Sequence, residues 1–217
     1  MIKYPKTFHF SFSENLQNDD RMLESDDILV GKQVVVTEKT DGENTGISRD
    51  HCHARSLDSR DHASRHWIKS LWGQIRWDIP EGLEIFGENM FACHSIFYDR
   101  LTTYFYVFAV VDANKMFLSW EETKEWAKLL GLETVPELYV GPWDEEKVKS
   151  CWTGDSRFGP EGEGYVVRNA AAFPYDDFTK NVGKMVRKGH VQTSAHWMSE
   201  SIRPNKIVTL QDGNSGV

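Results

Sequence analysis

The chain has 217 residues, 40% of them hydrophobic and 27% charged, with a formal net charge of −8. That composition supports one substantial packed core and excludes wholesale disorder, and the acidic balance excludes a protein that coats nucleic acid through bulk charge. No apolar run approaches the roughly 20 residues of a transmembrane helix, and Met1–Phe12 lacks the apolar stretch of a secretory leader. A monomeric cytoplasmic protein with no membrane contact is expected.

Cys52, Cys93 and Cys151 form no C-x-x-C pair, which fits a reducing compartment rather than a disulfide framework. The neighbouring His51, His53 and His94 match no common zinc spacing, so no structural metal is assigned. Charge is unevenly spread. Glu14, Asp19, Asp20, Glu24, Asp26 and Asp27 make an acidic run, whereas Lys180, Lys184, Arg187 and Lys188 make a cationic one.

Along the chain, the β-branched run Gln33–Glu38 predicts a strand, with further strands near Asn44–Arg49 and His51–Ser56. Ala63, Trp67, Ile68, Leu71, Trp72 and Ile75 recur at helical spacing and predict a helix over Asp61–Trp77. Leu83–Phe86 and Tyr104–Val111 predict strands, the second apolar on both faces and therefore central. Ser119 and Glu122 form a capping box for a helix that Gly131 stops, and a shorter helix is expected over Asp144–Trp152. Tyr165–Arg168 and Val182–Val186 complete the strands. Val191–Ser201 is expected to add a helix, Lys206–Leu210 an edge strand, and Gln211–Val217 to fray. Strands outnumber helices without alternating with them, which predicts an α+β fold of mixed or antiparallel sheets flanked by helices.

Five segments carry chemistry. Glu38-Lys39-Thr40-Asp41-Gly42 places a lysine at the end of a buried strand, where a rigidly held amine can act as a nucleophile once it is neutral. Its ordinary pKa of about 10.4 would have to fall, through neighbouring cations or desolvation. Phe86-Gly87-Glu88-Asn89 ends a strand in an acid, and Phe108 lies in an aromatic strand. Glu161-Gly162-Glu163-Gly164 leads into Tyr165–Arg168, and Lys184-Met185-Val186-Arg187-Lys188 supplies cations.

In this order the segments resemble the covalent nucleotidyltransferase superfamily of ATP-dependent ligases and mRNA capping enzymes. Lys39 to Gly42 matches the K-x-D-G nucleophile motif, Arg55 and Ser56 the arginine motif after it, and Glu88 the acid of the third motif. Phe108 matches the aromatic of the following strand, Glu163 to Arg168 the E-G-x-V-V-K/R motif, and Lys184 the final lysine motif. The chain looks most like the RNA ligase 2-like branch, through Phe86–Asn89 with Ala92–Ile96 and the run Lys184–Thr193. One departure stands out: Val186 occupies the place of the second lysine of K-x-K, leaving Arg187 or Lys188 as the substitute cation.

The resemblance implies a nucleotidyltransferase (ATP-grasp-like) fold in a single domain over 1–217, with a motif core at about 34–188 and no separate C-terminal module. It implies that Lys39 attacks the α-phosphate of ATP to give lysyl-AMP. Lys184, Arg187 or Lys188, and Mg²⁺ (or Mn²⁺) near Glu163 offset the phosphate charge and lower the Lys39 pKa. Glu38, Arg55, Glu88 and Phe108 complete the nucleotide site, with Phe108 stacking on adenine. The AMP then passes to an RNA 5′-phosphate, and a 3′-hydroxyl seals the strand. An accessory protein could assist the grip on RNA. The alternatives are a capping-type guanylyltransferase and a non-catalytic nucleotide- or RNA-binding descendant of the fold.

Overall fold

A computed structural model of the chain describes residues 1–14, 16, 20–57, 62–190 and 202–208. The first half contributes β1 (Phe8–His9), β2 (Gln33–Lys39), β3 (Glu43–Ile47), β4 (Cys52–Ala54), α1 (His66–Ile75), β5 (Glu84–Asn89) and β6 (Phe105–Val111). There follow β7 (Met116–Phe117), α2 (Trp120–Leu129), β8 (Glu133–Thr134), β9 (Glu137–Pro142), α3 (Glu145–Ser150), β10 (Gly164–Asn169), β11 (Phe173–Pro174) and β12 (Val182–Val186).

These strands make two sheets. One runs β1-β12-β10-β2-β9; the other runs β11-β7-β6-β5-β3-β4, with β8 paired to β6. Among the described residues, β1–β12 and β6–β8 are the parallel strand pairs and the rest are antiparallel, so both sheets are mixed, as the strand-rich pattern implied. β6, apolar on both faces, lies inside its sheet between β5 and β7.

The strand β2 carries three consecutive buried valines because both of its faces are covered. Val34 and Val36 pack with Tyr165, Val167 and Met185 on one side, while Val35 joins Tyr98, Tyr106 and Trp120 on the other. Each such side chain is worth roughly 1.5–3 kcal/mol when fully buried. The outer face of the second sheet is closed by α1 and α2. Ile68 of α1 and Ala127 of α2 share a layer with Ile47, Ile85 and Val107, while Trp67, Leu71, Trp72 and Ile75 pack along its rim. The Ser119–Glu122 capping box is present, and Gly131 follows α2 at φ 67°, a left-handed conformation that favours glycine.

Some boundaries differ from the sequence reading. The helix expected over 61–77 is α1 alone, flanked by 3-10 turns at Ala63–Arg65 and Arg76–Asp78, and Asp61 lies outside the described residues. Of the edge strand expected over Lys206–Leu210, Ile207 makes an isolated bridge with Leu101 and residues 209–210 lie outside the described residues; Pro204, just before it, bridges Ala92. The helix expected over Val191–Ser201, and Gln211–Val217, lie outside the described residues. Among the described residues, no helix is long and apolar enough to cross a membrane.

Candidate active site

The strand register decides which motif residues meet. Antiparallel pairing sets Val166 opposite both Thr37 and Lys184, and Gly164 opposite both Lys39 and Val186. Residues opposite one another share a face. Thr37, Lys39, Val166 and Lys184 therefore face a cavity of about 400 Å³ between the sheets. The second sheet supplies Asn44, Glu88 and Phe108, and Arg55 and Asp41 enter from loops.

Two glycines let the strands come this close. A Cβ at Gly42 would stand 2.7 Å from the Asn89 carbonyl and 2.8 Å from the Met90 sulfur. A Cβ at Gly164 would collide with the Met185 carbonyl. Both belong to motifs recognised from sequence, and both serve close backbone approach.

Lys39 Nζ lies 2.6 Å from Glu163 Oε1, an ion pair in which Glu163 is 1% exposed. Burial pulls the Lys39 ammonium downward, but Glu163, Glu88 and Asp41 pull it upward and together prevail. The expectation of a lowered Lys39 pKa is thus reversed in the chain by itself, because the cluster around the amine is acidic. Lys184 does shift down, through burial and then the charge of Lys39. Its Nζ sits 3.4 Å from Asp20 Oδ1, which also lies 3.2 Å from His9 Nε2. Burial, reinforced by Lys184, lowers His9 to about 4, so its imidazole is neutral near pH 7.

Glu88 is pushed up to about 8, first by burial, with Lys39 pulling against that rise and Glu163 and Asp41 adding to it. Glu38 is also raised by burial, although its carboxylate accepts hydrogen bonds from the Ser156 hydroxyl and from Arg157 N at 3.1 Å. The Asp41 carboxylate is pinned by Ser95 N at 2.8 Å, Ser95 Oγ at 2.6 Å and Ile96 N at 2.9 Å, all to Oδ2. Its other oxygen faces His94 at 4.0 Å and His190 at 3.9 Å. One donor atom each from Asp41, Glu163 and His190 lies within 4.8 Å of the others, close enough to share a cation. Phe108 is half-buried on the cavity wall, with the Tyr4 ring edge-on at 5.0 Å. Arg55 Nε is buried and has no hydrogen-bond partner among the described residues, as a group awaiting a ligand would be.

The family model described as RNA ligase matches residues 32–186. The chain belongs to the RNA ligase family. No curated protein matches it. Solved structures of a Naegleria gruberi RNA ligase share the fold. A variant with ATP and Mn aligns at TM-score 0.57 and 20% identity, over 85% of this chain and 57% of that one. The ligase with PPi gives TM-score 0.55 and 22% identity over the same shares, and a variant with AMP and Mn gives 0.54 and 19%. The chain spans about 57% of the length of those ligases.

Of the motif residues expected from sequence, Glu38, Lys39, Arg55, Glu88, Phe108, Glu163 and Lys184 all line the one cavity. Arg187 and Lys188 do not. The register puts Val186 on the face of Lys184 and Arg187 on the opposite parity. The Arg187 guanidinium instead donates to Glu161 at 2.6 Å and to the Gly162 carbonyl at 2.7 Å, while Lys188 N donates to Glu14. Lys180 pairs with Asp177, so the cationic run is not one patch. The sequence reading missed the first residues of the chain. Tyr4, Lys6 and Thr7 line the cavity beside Asp20. They are carried there by the parallel pairing of β1 with β12, for which no local pattern exists.

Proposed function

We propose that this chain is the catalytic unit of an ATP-dependent RNA ligase that works through lysyl-AMP. The observation that carries this reading is the convergence of Lys39, Glu88, Phe108, Glu163 and Lys184 on one cavity, in a chain whose residues 32–186 match the RNA ligase family.

In this reading Lys39 Nζ, once deprotonated, donates its lone pair to the α-phosphorus of ATP. The bond from that phosphorus to the bridging oxygen breaks, and pyrophosphate leaves with the electron pair. Phosphoryl transfer asks for positioning and charge neutralisation, and Lys184 on the same sheet face meets both needs at the phosphates. Phe108 offers a stacking face to adenine. Glu88, whose raised pKa leaves it ready to donate or accept, binds the ribose hydroxyls. Arg55, whose buried Nε has no hydrogen-bond partner among the described residues, takes a phosphate or ribose oxygen. An oxygen of an RNA 5′-phosphate then attacks the lysyl-AMP phosphorus and regenerates Lys39. Finally a 3′-hydroxyl attacks the activated 5′-phosphate and AMP departs.

The donor set beside Lys39 fits a divalent cation, since Asp41 and Glu163 bring buried carboxylate oxygens to one point. These residues would hold the ion, which supplies positive charge next to the phosphates.

Incubation with ATP or GTP labelled at the α-phosphate, followed by denaturing electrophoresis, tests the reading. Labelling by ATP that is lost in Lys39→Ala supports it. Labelling by GTP alone would assign a guanylyltransferase, and no adduct with either nucleotide would leave a binding protein.

A further inference from the structure

We infer that His190 is a direct ligand of the divalent cation, completing a set with Asp41 and Glu163, and that its imidazole makes the site favour Mn²⁺ over Mg²⁺. The inference rests on the metal reading above and adds to it His190, a residue of the run Lys184–Thr193 to which the sequence assigned no role.

His190 Nε2 lies 3.4 Å from Glu163 Oε1 and 3.9 Å from Asp41 Oδ1. Metal–ligand bonds of about 2.1 Å place neighbouring donors roughly 3 Å apart, so the three donors, all within 4.8 Å of one another, draw inward onto the ion as it binds. All three side chains are buried, Glu163 at 1%, His190 at 3% and Asp41 at 7% exposure. Two carboxylates and an imidazole facing one point away from water is a costly arrangement that a dication offsets.

The surroundings aim these donors. Asp41 commits Oδ2 to Ser95 and Ile96, which turns Oδ1 toward His190; a neighbouring hydrogen-bond shell commonly orients metal ligands this way. His190 is brought back beneath β10 by a tight turn. Gly189 adopts φ 77°, and His190 N donates to the Arg187 carbonyl. Arg187 fixes that turn to the Glu163 loop: its N donates to the Glu163 carbonyl at 3.0 Å, and its guanidinium grips Gly162 and Glu161. Arg187, which sequence suggested as a second cation on the nucleotide, therefore works as the clamp that places His190.

This arrangement also accounts for Val186. An apolar side chain on the Lys184 face leaves the Asp41–Glu163 pair without the second lysine of the family pattern. In the chain itself, Lys39 stands against those acids. A bound dication supplies the charge in its place. Selectivity follows from donor chemistry: Mg²⁺ favours oxygen and retains its waters, whereas Mn²⁺ accepts imidazole nitrogen.

The test uses the full chain without nucleotide. Mn²⁺ is titrated in and the free ion is followed by its electron paramagnetic resonance signal, with Mg²⁺ as competitor. One Mn²⁺ should bind per chain, Mg²⁺ should displace it only in large excess, and His190→Gln should weaken binding at least about tenfold. Pulsed resonance on the wild-type chain should show coupling of Mn²⁺ to an imidazole nitrogen, an observation that needs no variant to fold. Absence of Mn²⁺ binding, absence of that coupling, or equal affinity in a folded His190→Gln chain would overturn the assignment. ATP labelling of Lys39 is scored separately. Mn²⁺ bound with nitrogen coupling but no lysyl-AMP would sink the ligase reading and keep the ligand set; lysyl-AMP without nitrogen coupling would do the reverse.

Discussion

Lys39 and Glu163 form an ion pair at 2.6 Å that holds the amine in its protonated, non-nucleophilic form. The acid both aims the lysine and restrains it, so reaction requires that the charge on Glu163 be engaged elsewhere when nucleotide and cation arrive. The restraint is measurable without catalysis. Glu163→Gln should lower the Lys39 pKa, because it removes the nearest of the charges that raise it. Acetylation of Lys39, followed by mass spectrometry across pH, should show its midpoint moving down in the variant. A midpoint that stays or rises would show that Glu163 does not control the amine.

Glu88 gives a stability prediction with a defined sign. Burial raises its pKa to about 8, so the folded chain holds this proton more tightly than the unfolded chain does. The favourable contribution is fully present below the ordinary carboxylate value of about 4.3 and is lost as pH rises from there through about 8. Glu88→Gln is neutral at every pH and escapes that loss. The nucleotide-free variant should melt above wild type at pH 8.5 and close to it at pH 4.5, with each kcal/mol worth roughly 2–4 °C in a chain of this size. The same variant should bind ATP more weakly, since a ribose partner is altered. Equal melting differences at both pH values would contradict the assigned shift.

Phe108→Ala separates stacking from packing. The ring is half-buried, whereas the backbone of the same residue is tied in by Arg168, which donates to the Phe108 carbonyl at 3.3 Å. Folding should therefore survive, while ATP binding loses roughly 1–3 kcal/mol, the usual worth of a base on an aromatic face. Calorimetric titration with ATP reads this directly. Aggregation with unchanged affinity in the soluble fraction would place the ring in the core instead.

Much of the fold was legible because its central strands announce themselves locally. β2 and β10 carry consecutive valines, and the register of β2, β10 and β12 brings Lys39, Val166 and Lys184 to one face. β9 was missed because Pro136, Gly141 and Pro142 read as turn residues; an edge strand beside β2 tolerates them. The fate of Arg187 depended on where β12 ends and the chain turns, which residue types do not fix. His190 lies in the run Lys184–Thr193 that supported the resemblance but was given no role there, being a single histidine with no ligand at a recognisable spacing; the turn at Gly189 places it. Asp20 read as one acid in a solvated run. Tertiary pairing of the N-terminal segment set it against the cavity's cation.

That last contact leads to a prediction about affinity. Asp20 Oδ1 is 3.4 Å from Lys184 Nζ, and both side chains are under 10% exposed. A carboxylate there offsets the positive charge that a triphosphate needs and repels the phosphates themselves. The neutral His9 imidazole beside it restores no charge near pH 7. Asp20→Asn keeps the shape and removes the charge, so ATP should bind about fivefold more tightly, corresponding to roughly 1 kcal/mol. The gain should persist at raised salt, because the pair is enclosed and poorly screened. Lys184→Met should act in the opposite direction and slow adenylylation strongly, while Lys188→Ala, whose side chain lies outside the cavity, should match wild type. If Asp20→Asn left affinity unchanged, the carboxylate would have to swing clear of the phosphates on binding, and its pairing with Lys184 would hold only for the nucleotide-free chain.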